Sequence, residues 1–263
     1  MAVRKSLGLP VTRLRGSEAR TLEPGLAPML RLALDIPDDH AVDPRKLSAA
    51  LSSALVRAGG VIRTNSEVRA LSLPAVALSD GERVQAEQVV IAAGAWSGAL
   101  DGVPDSARVP IHPVKGQILR LHDPAGPGML TRVLRMRTGY IVPRGNGRYV
   151  LGATTEERGF DTTVTAGAVF ELLRDASELV PGLSELVIDE LSAGLRPATL
   201  SNAPAIGPGA VEGVHWAVGH YRHGVLLAPV TAEMIVAGLL GEEPPDPELA
   251  AEFAPGRLAG VPA

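Results

Sequence analysis

A chain of 263 residues with 46% apolar composition is long enough for one large domain or two intimate ones around a real core. Its 25 basic and 29 acidic residues leave a net charge of −4, and neither sign forms a long block, which argues against nucleic acid as a partner. The absence of cysteine excludes disulfides, thiolate zinc sites, iron–sulfur clusters, flavin attachment through sulfur and a cysteine nucleophile, and it suits a cytoplasmic location.

The first ten residues carry Arg4 and Lys5 but no apolar run of signal-peptide length, and the most apolar late segment is interrupted by Pro229, Thr231 and Glu233. Neither an export signal nor a membrane span is expected. The 29 glycines and 22 prolines follow no period, so they predict many turns rather than disorder.

The first clear element is a helix. Asp43 is an acidic N-cap, Pro44 occupies N1, Leu47, Ala50, Leu51, Ala54, Leu55 and Ala58 form an apolar stripe, and Gly59-Gly60 is a stop. Val61-Ile62-Arg63 then reads as a strand, and residues 67–78 as one or two more, with Ser79-Asp80-Gly81-Glu82 as a turn. The apolar run 89–93 ending at Gly94 has the pattern of a strand buried on both faces of a parallel sheet.

From about Val109 the texture changes to long alternating strands of an antiparallel sheet, over 117–121, 132–142 and 149–153, the last after an Asn146-Gly147 turn signal. A helix over 165–179 and a strand over 186–195 complete it. A short strand over 216–218 and a helix over 231–240, opening just after Pro229, come last, before a Pro- and Glu-rich tail from Gly241.

Three motifs carry chemistry. Gly219-His220-Tyr221-Arg222-His223-Gly224-Val225-Leu226 joins a strand to a helix through glycines, and a helix N-terminus with free N–H groups suits an anion such as a reduced flavin. The alternative is a glycine-rich turn with a surface arginine. Arg196, in Gly-Leu-Arg-Pro at a strand that Pro197 should stop, offers a fork for a carboxylate; its alternative is a bridge to a surface acid. Tyr140, mid-strand, adds a hydroxyl unless it is simply core.

His220 and His223 are three apart, but no third ligand is spaced to complete a metal site, and no Ser/His/Asp triad is arguable. Gly126/Gly128, Gly145/Gly147 and Gly207/Gly209 each lack the third glycine of Gly-x-Gly-x-x-Gly, so no dinucleotide fingerprint is present.

Together with Glu67-Val68, Val89-Val90-Ile91-Ala92-Ala93-Gly94-Ala95-Trp96-Ser97, Pro113-Val114-Lys115-Gly116-Gln117, Gly139-Tyr140-Ile141-Val142-Pro143-Arg144 and Gly152-Ala153-Thr154, these motifs resemble the glycine oxidase (ThiO) branch of the D-amino acid oxidase-like, FAD-dependent family. The resemblance runs in order from about Gly16 to Gly241. It implies an α/β (α+β) fold: an incomplete Rossmann-like FAD-binding domain with an antiparallel-sheet substrate domain. The implied division gives 1–39 and 106–194 to the substrate domain, 40–105 and 195–242 to the FAD domain, and 243–263 to a tail.

By the same resemblance Val68 touches the adenosine end of a non-covalent FAD, and His220, Tyr221, Arg222, His223, Gly224, Val225 and Leu226 wrap the flavin ring. Arg196 grips the substrate carboxylate, with Tyr140 and Arg222 assisting; no residue is assigned as a general base. The implied reaction is oxidative deamination of glycine or another small amino acid or amine, linked to thiazole formation in thiamine synthesis.

Two departures stand out. Thr155 replaces a larger apolar residue of the glycine oxidase pattern, and the first βαβ unit, at least ~30 residues with its Gly-rich turn, has no counterpart before Arg13. The chain is therefore expected to be truncated at its N-terminus and to bind FAD weakly or not at all when alone. Two other readings stay open: a subunit of a heteromeric sarcosine or D-amino acid dehydrogenase whose partner donates the nucleotide-binding unit, and a non-catalytic remnant. A homo-oligomer is compatible with all three.

Overall fold

The computed structural model describes residues 6–258. Strand β1 (Thr12–Arg15) and strand β2 (Leu32–Asp35) form an antiparallel pair around a seven-residue helix α1 (Gly16–Leu22). Helix α2 (Pro44–Arg57) matches the capping signals: Asp43 Oδ1 accepts from the amides of Arg45 and Lys46, and Gly59 takes the left-handed φ of 88° that ends it.

The strand expected over 61–63 is not formed. Val61 and Ile62 run as exposed coil, because a strand exists only where a neighbour takes its hydrogen bonds, and none does among the described residues. Strands β3 (Val68–Ser72), β4 (Ala75–Leu78) and β5 (Arg83–Gln85) make an antiparallel meander with the turn at Gly81 as expected.

Strand β6 (Val89–Ile91) is shorter than expected and is not enclosed on both faces; Val90 is 36% exposed. Strand β7 (His112–His122) extends five residues beyond the expected start. The long strand expected over 132–142 is broken into β8 (Leu134–Arg135) and β9 (Tyr140–Pro143) by a turn in which Met136 N donates to Gly139 O at 2.9 Å. Strand β10 (Arg148–Gly152) and helix α3 (Ala166–Leu179), N-capped by Thr165, follow as read.

Strand β11 (Val187–Ala198) runs through Pro197 instead of stopping there. A short strand β12 (Ala205–Pro208), unseen in the sequence, precedes β13 (Val214–Val218). Helix α4 (Gly224–Leu240) begins at Gly224 and contains Pro229, so half of the supposed 219–229 loop is helix. The supposed tail holds a helix α5 (Pro247–Phe253), capped by Asp246, whose side chain accepts from Leu249 N at 3.0 Å.

The chain divides into two units. The first comprises the segment ending at Ala49, Gly116–Glu156 and Thr162–Gly194. Its five-stranded sheet has the order β11-β7-β10-β9-β8, and Leu119, Leu121, Ile141 and Leu151 of the sheet pack with Leu172 and Ala176 of α3 and with Ala19 and Leu26 of the α1 region. Alternation along each strand sends these side chains to the one face that α3 covers.

One buried acid locks this unit. Glu23, 2% exposed, accepts from Thr131 N, from Thr131 Oγ1 at 2.6 Å and from Arg132 N at 2.7 Å, so three donors of that segment are satisfied by a single carboxylate.

The second unit comprises Ala50–Lys115, Glu157–Asp161 and the chain from Leu195. In its sheet β12-β13-β6, β13 lies antiparallel to β12 and parallel to β6 around a core of Ile91, Val109, Val214, Trp216 and Val218. Ile206 meets Met234 and Ile235 of α4 on the other side. At the start of α4, His220 Nε2 lies 2.9 Å from Thr231 Oγ1, and burial holds the imidazole below its ordinary value of 6.5.

Two outcomes follow from these contacts. Glu23→Ala strands three donors and should cost about 3–5 kcal/mol, read as a fall in the denaturation midpoint of the purified chain. His220 binds its proton more readily when unfolded, so acidification below pH 6.5 lowers stability. His220→Gln should flatten the pH slope of the melting temperature below that value; an unchanged slope rejects the assignment.

Candidate functional site

The residues singled out in the sequence fall at three places. Tyr140 opens β9 in the first unit, paired with Gly152 of β10. Val68 opens β3 of the second unit and is 41% exposed. Arg196 and the residues 220–226 also lie in the second unit, and the backbone joins these two segments directly.

That junction rests on two backbone contacts. Ala198 and His220 form an isolated antiparallel bridge, and Tyr221 N donates to Pro197 O at 2.9 Å. Gly219 (φ 78°) and Tyr221 (φ 49°) are both left-handed. For a tyrosine this is an uncommon conformation that survives only where surrounding contacts over-determine it. At Gly219 a Cβ would lie 2.5 Å from Cγ2 of Thr199, so the position needs glycine for space as well as for φ. Thr199 itself is buried, with its hydroxyl donating to Ala203 O.

The turn places two guanidinium groups on neighbouring segments. Arg196 is half-buried, and its Nη1 donates to Lys115 O at 3.3 Å. Arg222 is exposed and lies over the Tyr221 ring, with Cζ 5.2 Å from the centroid. His223 caps α4 without a side-chain hydrogen bond, so the first-turn amides of Gly224, Val225 and Leu226 have no intrahelical acceptor. Val225 and Leu226 beside them are 51% and 77% exposed.

Free amides, the positive end of a 17-residue helix and bare aliphatic side chains form a set that fits a planar, partly anionic ring such as a flavin. The residues present therefore suit the ring end of FAD. A phosphate-binding Gly-x-Gly-x-x-Gly turn occurs nowhere in the sequence.

Lys115 has no role legible in the sequence. Its side chain is 1% exposed, and Nζ is 2.7 Å from Asp161 Oδ2. The available signal was a lysine set within the apolar run of β7; its partner, 46 residues on, was not predictable. Gln117 is likewise buried, donates to Glu156 Oε1 at 2.7 Å and accepts from Thr165 N at 2.9 Å.

Among the described residues no helix is long and apolar enough to cross a membrane. The family model for FAD dependent oxidoreductases (DAO) matches residues 1–237. The chain is 36% identical over 259 residues to the glycine oxidase of Geobacillus kaustophilus (strain HTA426), a match covering 97% of this chain and 67% of that protein. It is 39% identical over 207 residues to the bifunctional protein ThiO/ThiG of Synechocystis sp. (strain ATCC 27184 / PCC 6803 / Kazusa), covering 76% of this chain and 30% of that protein.

The crystal structure of the Geobacillus kaustophilus glycine oxidase superposes with a TM-score of 0.88 at 32% identity, covering 100% of this chain and 70% of that one. The chain thus spans only part of the length of the relatives it matches, from under a third to about two thirds. The mixed α/β architecture with antiparallel sheets is the fold of that enzyme, and the chain belongs to the FAD dependent oxidoreductase (DAO) family.

Proposed function

We propose that this chain forms the flavin-cradling and carboxylate-binding part of an FAD-dependent oxidase of glycine or another small amino acid or amine. The observation that carries the reading is the junction of Arg196 with the 220–226 segment: one hydrogen bond and one bridge hold a carboxylate-sized fork beside an anion-seeking helix start. When bound, FAD would supply the acceptor for the hydride of the substrate α-carbon, with O₂ taking up the electrons as H₂O₂ and water releasing the imine as carbonyl product and ammonia.

The chain's own part is orientation and charge. Arg196 pairs with the substrate carboxylate through two parallel hydrogen bonds, Arg222 adds a second cation, and Tyr140 supplies a hydroxyl. A substrate amine that enters neutral leaves its α-hydrogen ready for transfer without a side-chain base. Residues 220–226 hold the ring and Val68 the adenosine end. In this reading 1–39 and 106–194 serve the substrate, 40–105 and 195–242 serve FAD, and 243–263 is a tail that carries α5. The ThiO/ThiG relative favours a role supplying imine for thiazole formation.

The flavin part is proposed to need a nucleotide-binding βαβ unit beyond these residues. Strand β6 is the last strand of its sheet, Val61 and Ile62 are 83% and 45% exposed, and α2 buries no residue although Leu51, Leu55 and Val56 are apolar. A parallel sheet is ordinarily covered on both faces, and further parallel strands would cover this surface.

The chain alone should retain little FAD, whereas protein made from the coding region extended upstream should be yellow and release H₂O₂ with glycine; a folded, colourless extended protein rejects the reading. In that enzyme Arg196→Ala should weaken substrate by about 2–5 kcal/mol, the cost of removing one partner of a charge pair. An unchanged KM would remove Arg196 from the clamp.

A further inference from the structure

Lys115 joins two features of the second unit that the proposed function leaves unconnected. Its side chain is 1% exposed on β7, and its ammonium meets Asp161 Oδ2 at 2.7 Å. Asp161 ends the segment Glu157–Asp161, which belongs to this unit although the residues on either side of it belong to the other. The preceding residue, Phe160, lies against Trp96 with ring centroids 6.0 Å apart. Two contacts thus pin the segment, one ionic and one aromatic.

A buried ammonium is tolerated only while a counter-charge stays in contact, so Lys115 and Asp161 hold each other in place. The carbonyl of the same lysine receives Arg196 Nη1 at 3.3 Å. Whatever fixes the Lys115 backbone therefore fixes one hydrogen bond of the guanidinium. Arg196 in turn is followed directly by Pro197, whose carbonyl takes the Tyr221 amide. The chain of contacts runs from Asp161 through Lys115 and Arg196 to the turn that carries Arg222.

We propose that Lys115 is a positioning residue for the carboxylate clamp: its buried ion pair with Asp161 fixes the strand whose carbonyl orients the Arg196 guanidinium. This rests on the reading of Arg196 as the substrate's carboxylate partner. A purely structural pair would lower stability without touching substrate affinity, whereas a positioning pair acts on affinity first.

The test uses Lys115→Met, Lys115→Arg and Asp161→Asn in the flavin-loaded enzyme. Lys115→Met and Asp161→Asn should each raise KM for glycine tenfold or more with kcat within threefold and flavin content unchanged. Lys115→Arg, which keeps the charge pair, should return KM to within threefold of the parent. In an Arg196→Ala background, Lys115→Met should add nothing further, since both act through one contact.

A KM within twofold of the parent in both Lys115→Met and Asp161→Asn, or fully additive effects with Arg196→Ala, would overturn the proposal. If Arg196→Ala itself leaves KM unchanged, the reading of the clamp fails; if it raises KM while the Lys115 and Asp161 variants do not, only this inference fails. Hydrogen exchange on the chain as it stands gives an independent readout, with Asp161 the safer site because its side chain is 40% exposed. Asp161→Asn should speed exchange at the Tyr221 amide, and an unaltered rate there counts against the relay.

Discussion

The hydrogen bond from the Tyr221 amide to the Pro197 carbonyl is the constraint on which the site depends. It joins the end of a 12-residue strand to the turn that opens a 17-residue helix, and it does so with a tyrosine held in left-handed backbone geometry. Without that join, Arg196 and Arg222 would be two unrelated cations on separate segments. With it, they lie on adjacent stretches of backbone beside a helix start whose amides lack acceptors. Conformational cost at Tyr221 and steric exclusion at Gly219 are what such a junction demands, and both occur between the two arginines proposed to bind substrate.

The two units are stabilised in different ways. In the first, leucine and isoleucine side chains from one sheet face meet helix α3, and a single buried glutamate accepts from three donors of residues 131–132. In the second, a small three-stranded sheet carries α4 on one side but leaves β6 as its last strand and apolar residues of α2 in solvent. The first arrangement is a finished core. The second leaves apolar side chains of β6 and α2 exposed.

Charge is handled by the same division of labour. The ion pair Arg45–Glu190, at 2.6 Å, is exposed and adds little. Lys115 is different, because its ammonium is out of water and its counter-ion lies on another segment. Such a pair contributes little net stability compared with an apolar replacement, yet breaking it by removing one partner is expensive. It is better suited to specifying where a segment sits than to holding the fold together.

Elements whose signals are local were legible from residues alone. Asp43, Pro44 and Gly59 delimit α2, and Asp80-Gly81 turns the meander, because caps and turns are decided by hydrogen bonds within a few residues. The family motifs were legible too, since Gly-Leu-Arg-Pro and the 219–226 glycines survive as strings. What required the tertiary structure were the elements made by partners distant in sequence. Val61-Ile62 has strand composition but no pairing strand among the described residues, Pro197 sits inside a strand, and the seven-residue α1 is too short for a periodic signal. Strand pairing, the Lys115–Asp161 contact across 46 residues and the left-handed Tyr221 are decided by which segments meet, and that depends on packing the whole chain.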